Sequence, residues 1–94
     1  MGTLDETTVR TALADLDGWE STGDAIRREL KFDGFRDAID FIVRIADLAD
    51  EANHHPELKN VYNNVEVVLT SHDAGGITQR DLDLAAAIDG AVNG

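Results

Sequence analysis

The chain has no cysteine, so disulfides and thiolate chemistry are excluded and no redox compartment is implied. It has one proline, Pro56, and lysine occurs only at positions 31 and 59. No stretch approaches the roughly 20 apolar residues of a membrane span. The opening Met1-Gly2-Thr3-Leu4-Asp5-Glu6 lacks the basic and apolar regions of a signal peptide. A soluble cytoplasmic protein, with no membrane partner, is therefore expected. Positive charge is scarce: eight bases face nineteen acids, for a formal net charge of −11. Nucleic acid and anionic lipid are poor partners for such a surface. The preference for Asp among the acids and Arg among the bases resembles the surfaces of salt-loving archaea. An ordinary acidic bacterial protein is the alternative.

The 94 residues are 43% hydrophobic, enough for one globular domain over 1–94 and too apolar for a disordered chain. No repeat, low-complexity tract or linker interrupts it. Leu4, Val9, Leu13 and Leu16 fall near one helical stripe, so a helix is expected over Leu4–Leu16, stopped by Asp17-Gly18. Trp19–Thr22 reads as a short strand, and Gly23-Asp24 as a turn. Ala25–Phe32 alternates, with Ile26, Arg28, Leu30 and Phe32 on one face, as a strand does. Arg28 is the odd member of that row and is expected at a sheet margin or a subunit contact. Asp33 is a candidate cap for a helix from Phe35 to about Asn53, with apolar residues recurring at three and four. Pro56 ends that helix at or before the preceding histidines. Residues 58–62 and 65–71 read as paired strands around an Asn63-Asn64 turn. Thr78-Gln79-Arg80-Asp81 reads as a capping box opening a last helix that frays at Asn93-Gly94. The order α-β-β-α-β-β-α implies an α+β domain: a four-stranded antiparallel sheet with helices on one face.

All three histidines, His54, His55 and His72, fall within nineteen positions. With a side-chain pKa near 6.5, histidine exchanges protons near neutrality. A metal site is disfavoured, because adjacent His54 and His55 diverge and no His-x-x-x-His pair exists. A nucleophilic triad through Ser71 is weaker still, since Ser71 and His72 point to opposite faces of a strand. Acid–base chemistry needs a donor and an acceptor flanking one substrate, and imidazoles with carboxylates supply both. Glu51, three positions before His54, and Asp81, in the first turn of the last helix, are the carboxylates placed to orient them. Each residue also has a purely structural reading. A histidine at a helix end can bond loose carbonyls, Pro56 can simply end a helix, Tyr62 can be a core aromatic, and Asp81 can be only a capping acid.

Taken together, Glu51, His54-His55-Pro56, Tyr62, His72 and Asp81 resemble the motif of the pterin-4a-carbinolamine dehydratases. Gly18-Trp19, the strand from Ile26 to Phe32 and the segment from Thr70 to Thr78 extend the resemblance over nearly the whole chain. Lys59, where the family often has an aromatic or apolar residue, and the acidic surface are the departures.

The resemblance implies dehydration of a 4a-hydroxytetrahydropterin to quinonoid dihydropterin, with the pterin as substrate and no cofactor or metal. It implies a catalytic set of His54, His55 and His72, in which His54 and His72 move protons and His55 binds or orients the pterin. Glu51 and Asp81 would position imidazoles and contact the ring. Trp19 and Pro56 would complete the substrate site, Trp19 as a wall. A homodimer or homotetramer and a link to an aromatic amino acid hydroxylase are implied as well. The alternatives are a non-enzymatic dimerisation or assembly cofactor, as animal members are for a homeodomain transcription factor, and a role in molybdopterin metabolism.

Overall fold

The computed structural model describes residues 3–16 and 18–93. The first helix, α1, spans Glu6–Leu13, shorter at both ends than the apolar stripe suggests. Asp5 sets its start: the carboxylate accepts the Thr8 N–H at 2.7 Å, which holds this carboxyl below its ordinary range. The helix closes at Ala14, and the stop expected at Asp17 lies outside the described residues. Strands β1 (Glu20–Ser21) and β2 (Ile26–Lys31) follow, joined by the expected turn, where Gly23 has φ +109°.

The long helix α2 spans Phe35–Ala52 and buries Ala38, Phe41, Ile45 and Ala49 at the helical spacing. Its N-cap is Gly34 rather than Asp33, and no side chain caps it. The second hairpin pairs β3 (Glu57–Val61) with β4 (Asn64–Leu69). Its turn is Tyr62-Asn63, one residue earlier than expected, and Tyr62 takes the left-handed φ of +51°. The shift follows from Asn63, which exchanges hydrogen bonds with the Phe32 backbone: its side-chain amide donates to the carbonyl, and its own carbonyl accepts the Phe32 N–H, each at 2.8 Å. Tyr62 is thus an exposed hairpin tip and not a core aromatic. The last helix, α3, covers Gln79–Asn93, and Gly94 lies outside the described residues.

The sheet is antiparallel throughout, in the order β1-β2-β4-β3. Ile26 and Leu30 of β2 and Val65, Val67 and Leu69 of β4 form the buried row beneath the helices. Phe41 and Ile45 of α2 and Leu84, Ala85 and Ile88 of α3 close over it. Each large apolar side chain so buried contributes about 1.5–3 kcal/mol. The other sheet face is polar, and there Arg27 pairs with Glu20, Glu29 and Glu66.

Arg28 lies neither at the margin nor free for a subunit contact. It sits in the inner row and pairs with Asp89 of α3 at 2.5 Å, both side chains mostly buried. Asp89 also accepts the Trp19 indole N–H at 2.7 Å. A carboxylate supplied by α3 makes a buried guanidinium tolerable, which a strand's own pattern cannot reveal. Gly18, at φ +81°, packs so closely that a Cβ there would meet Arg28 Nε at 2.9 Å.

Candidate active site

The first histidine is placed by the end of α2. Asn53 adopts the left-handed conformation (φ 51°, ψ 41°), and the His54 N–H returns to the Ala49 carbonyl at 3.1 Å. This closure ends the helix before Pro56 and turns His54 inward. Its ring lies against the start of α3, with Nε2 2.5 Å from Asp81 Oδ1. Asp81 is 0% exposed. Its other oxygen accepts the Ser71 hydroxyl and the Thr78 N–H, each at 2.9 Å. Asp81 therefore caps α3, as the box predicts, and also holds a histidine.

Neighbouring His55 points outward and meets Asp50 Oδ1 at 2.9 Å through Nε2. Sequence reasoning missed Asp50. The left-handed residue at 53 folds the chain back, so His55 reaches the last turn of α2 over a spacing that an unbroken helix would not pair. His72 sits beyond β4 in the tight turn between Ser71 and Gly76, exposed, with Nε2 3.8 Å from Glu57 Oε1. Glu57, the first residue of β3, was also missed, because strand pairing alone brings it opposite the end of β4.

One end of the sheet thus carries three imidazole–carboxylate pairs: His54–Asp81, His55–Asp50 and His72–Glu57. In the two hydrogen-bonded pairs, His54–Asp81 and His55–Asp50, the carboxylate on one ring nitrogen selects the tautomer and frees the other nitrogen, whereas Glu57 at 3.8 Å is beyond hydrogen-bond reach of His72. The three pairs differ in exposure, His54 being buried and His55 and His72 open to solvent. Two clefts open here. One, of about 330 Å³, is lined by His54 with Leu48, Glu51, Arg80, Asp83 and Leu84. The other, of about 290 Å³, is lined by His72 with Asp24, Glu57, Thr70 and Gly76. His54 and His72 therefore border different clefts within a single chain.

Glu51 lines the His54 cleft, whereas the carboxylate in contact with His54 is Asp81. Pro56 is half-buried between the histidine pair and β3. Trp19 lines neither cleft. Its indole is spent on Asp89, eight residues along α3 from Asp81 and so about 12 Å away along the helix axis. Tyr62 stands at the far tip of the hairpin, about 17 Å along β3 from the histidines. Arg80, at the rim of the His54 cleft, pairs with Asp73 at 2.7 Å and keeps that carboxyl below its ordinary range. Among the described residues, no group of three or more His, Asp or Glu side chains is arranged to hold a metal ion. No described helix is long and apolar enough to cross a membrane.

Comparison with known proteins sets this geometry beside a defined group. Residues 2–91 match the family model described as pterin 4 alpha carbinolamine dehydratase. A protein of Thermomicrobium roseum named "Putative pterin-4-alpha-carbinolamine dehydratase" is 48% identical over 85 residues, covering 90% of this chain and 91% of its own. One of the same name from Rhodopseudomonas palustris is 52% identical over 80 residues, covering 83% and 79%. The crystal structure of a transcriptional coactivator/pterin dehydratase from Brucella melitensis superposes with a TM-score of 0.91 at 37% identity, covering 96% of this chain and 98% of that one.

Proposed function

The chain belongs to the pterin 4 alpha carbinolamine dehydratase family, and from that premise we propose that it dehydrates a 4a-hydroxytetrahydropterin to quinonoid dihydropterin. The observation that carries the reading is the gathering of three imidazole–carboxylate pairs at one end of the sheet of such a fold. In the reaction the C4a–O bond breaks, and the departing hydroxyl takes a proton and leaves as water. A ring N–H loses its proton, and its electron pair forms the new double bond. One imidazolium and one neutral imidazole suffice for the two transfers. His54 and His72 take these roles, which requires the pterin to bridge the two clefts at this end of the sheet, and His55 holds the ring. Glu51, on the wall of the His54 cleft, contacts the pterin, and Asp81 acts through His54. The pterin is the substrate, and the proton transfers call for no cofactor. The substrate would come from an aromatic amino acid hydroxylase, which places the enzyme in cytoplasmic pterin recycling.

The test is direct. With carbinolamine generated in the cuvette, the purified protein should speed decay of its absorbance above the spontaneous rate, in proportion to protein added. Decay at the buffer rate at every concentration would remove the reading.

We propose further that the protein works as a homodimer or homotetramer. Strand β3 is an edge strand, and Leu58 and Val61 on it are exposed, as are Phe35 and Val43 on α2. An unpaired strand edge is a template for pairing with another chain, and exposed apolar surface beside it suits an association face. Sedimentation equilibrium should give two or four times the 10.2 kDa chain mass. A monomer at micromolar concentration would contradict it.

A further inference from the structure

We infer that Ser71 is a positioning residue of this site, anchoring the Asp81 carboxylate whose other oxygen holds the ring proton of His54; the role in turnover rests on the dehydratase reading, but the proton placement does not. Ser71 is 1% exposed, and its hydroxyl touches two partners: Asp81 Oδ2 at 2.9 Å and Thr78 Oγ1 at 2.8 Å. A serine hydroxyl has one hydrogen, and an ionised carboxylate only accepts. The Ser71 hydrogen therefore goes to Asp81, and the Thr78 hydroxyl donates to Ser71. The Thr78 backbone N–H donates to the same Asp81 oxygen at 2.9 Å. With Oδ2 filled by two donors, Oδ1 is the oxygen presented to His54 Nε2. Every hydrogen in the network then has one direction. Neutral His54 carries its proton on Nε2, and Nδ1 keeps the lone pair for proton transfer.

Ser71 also reaches the second histidine, by its backbone. Its N–H donates to the Gly76 carbonyl at 2.9 Å, and its carbonyl accepts from Ala74 and Gly75 at 3.0 and 2.9 Å. These bonds close the turn that displays His72. Gly75 permits that turn with φ +82°. One buried residue thus fixes the main chain of one proposed catalytic histidine and the carboxylate that holds the ring proton of another. A nucleophilic role is incompatible with this geometry, because the Ser71 hydroxyl faces the carboxylate and not an imidazole.

The experiment compares wild type, Ser71→Ala and Ser71→Thr. In protein labelled with 15N-histidine, the neutral His54 ring of wild type should show the single Nε2–H tautomer. In Ser71→Ala the Asp81 carboxylate loses an anchor and can turn from Nε2, so a measurable share of the Nδ1–H form should appear, and Ser71→Thr, which retains the hydroxyl, should return toward wild type. In turnover, kcat of Ser71→Ala should fall about tenfold, the scale of one hydrogen bond, with KM unchanged. If Ser71→Ala does not fold, Thr78→Val, which removes the donor to Ser71, should change the His54 ring signals in the same direction. A lower Tm with unaltered tautomer and kcat in Ser71→Ala would show that Ser71 is only structural and overturn the inference, as would unaltered ring signals in Thr78→Val where that variant has to serve. A tautomer shift in a protein without dehydratase activity would uphold the proton placement and reject the dehydratase reading instead.

Discussion

Replacing His54 by alanine is expected to lower kcat for carbinolamine dehydration by about 10²–10⁴-fold, the scale of one well-placed acid–base group. The magnitude rests on its setting. His54 is buried, held at 2.5 Å by Asp81, and borders a cleft of about 330 Å³, so its ring does not have to be ordered on binding. His72→Ala should fall in the same range, but through a different balance of effects. His72 is exposed, with only the distant Glu57 carboxylate beside it, so its loss should leave thermal stability unchanged. His54→Ala should also lower Tm, because it leaves the Asp81 carboxylate buried and short of a partner. Steady-state rates measured above the spontaneous background, with melting followed by circular dichroism, separate the two. Wild-type kcat in both variants would exclude histidine acid–base catalysis as the source of any activity.

The largest stability effect is expected at Asp81. Alanine there removes the acceptor of three donors at once: His54 Nε2, the Ser71 hydroxyl and the Thr78 N–H. Breaking a buried pair by deleting one member costs about 3–5 kcal/mol, since the remaining groups lose both water and partner. A domain of this length has roughly 5–14 kcal/mol in total, so Asp81→Ala should bring it near the threshold of folding. Tm should drop by more than about 12 °C, at 4–8 °C for each kcal/mol in a domain of this size. Asp81→Asn keeps one accepting oxygen and the side-chain volume, so it should be less damaging than Asp81→Ala. By contrast, removing Asp50, an exposed carboxylate paired with exposed His55, should change Tm little. Thermal melts of the three variants decide this. Equal Tm values for Asp81→Ala and Asp50→Ala would show that the buried network does not stabilise the fold.

Much of this protein is legible from its residues alone. Periodicity is a local property, and the spacing of Ala38, Phe41, Ile45 and Ala49, or of Val65, Val67 and Leu69, is enough to assign α2 and β4. The histidine cluster, Pro56 as a helix stop and Asp81 in the first turn of α3 are local in the same sense. The hairpin turn was displaced by one residue because Phe32, thirty-one positions earlier, claims both hydrogen-bonding groups of Asn63. Arg28 departs from its local pattern because its carboxylate partner lies sixty-one positions away on α3.

The carboxylate partners show the same division. The element order, the apolar faces and the side chains able to exchange protons are readable from local residue patterns. Packing set the partners: Asp81 and not Glu51 for His54, Asp50 for His55, Glu57 for His72, and Asp89 for the Trp19 indole. The physical reason is the range of the forces involved. Helix and strand patterns are set by neighbours within a turn or a pleat. A hydrogen bond between side chains 27 or 70 positions apart exists only once α3 has packed across the sheet and fixed which faces meet.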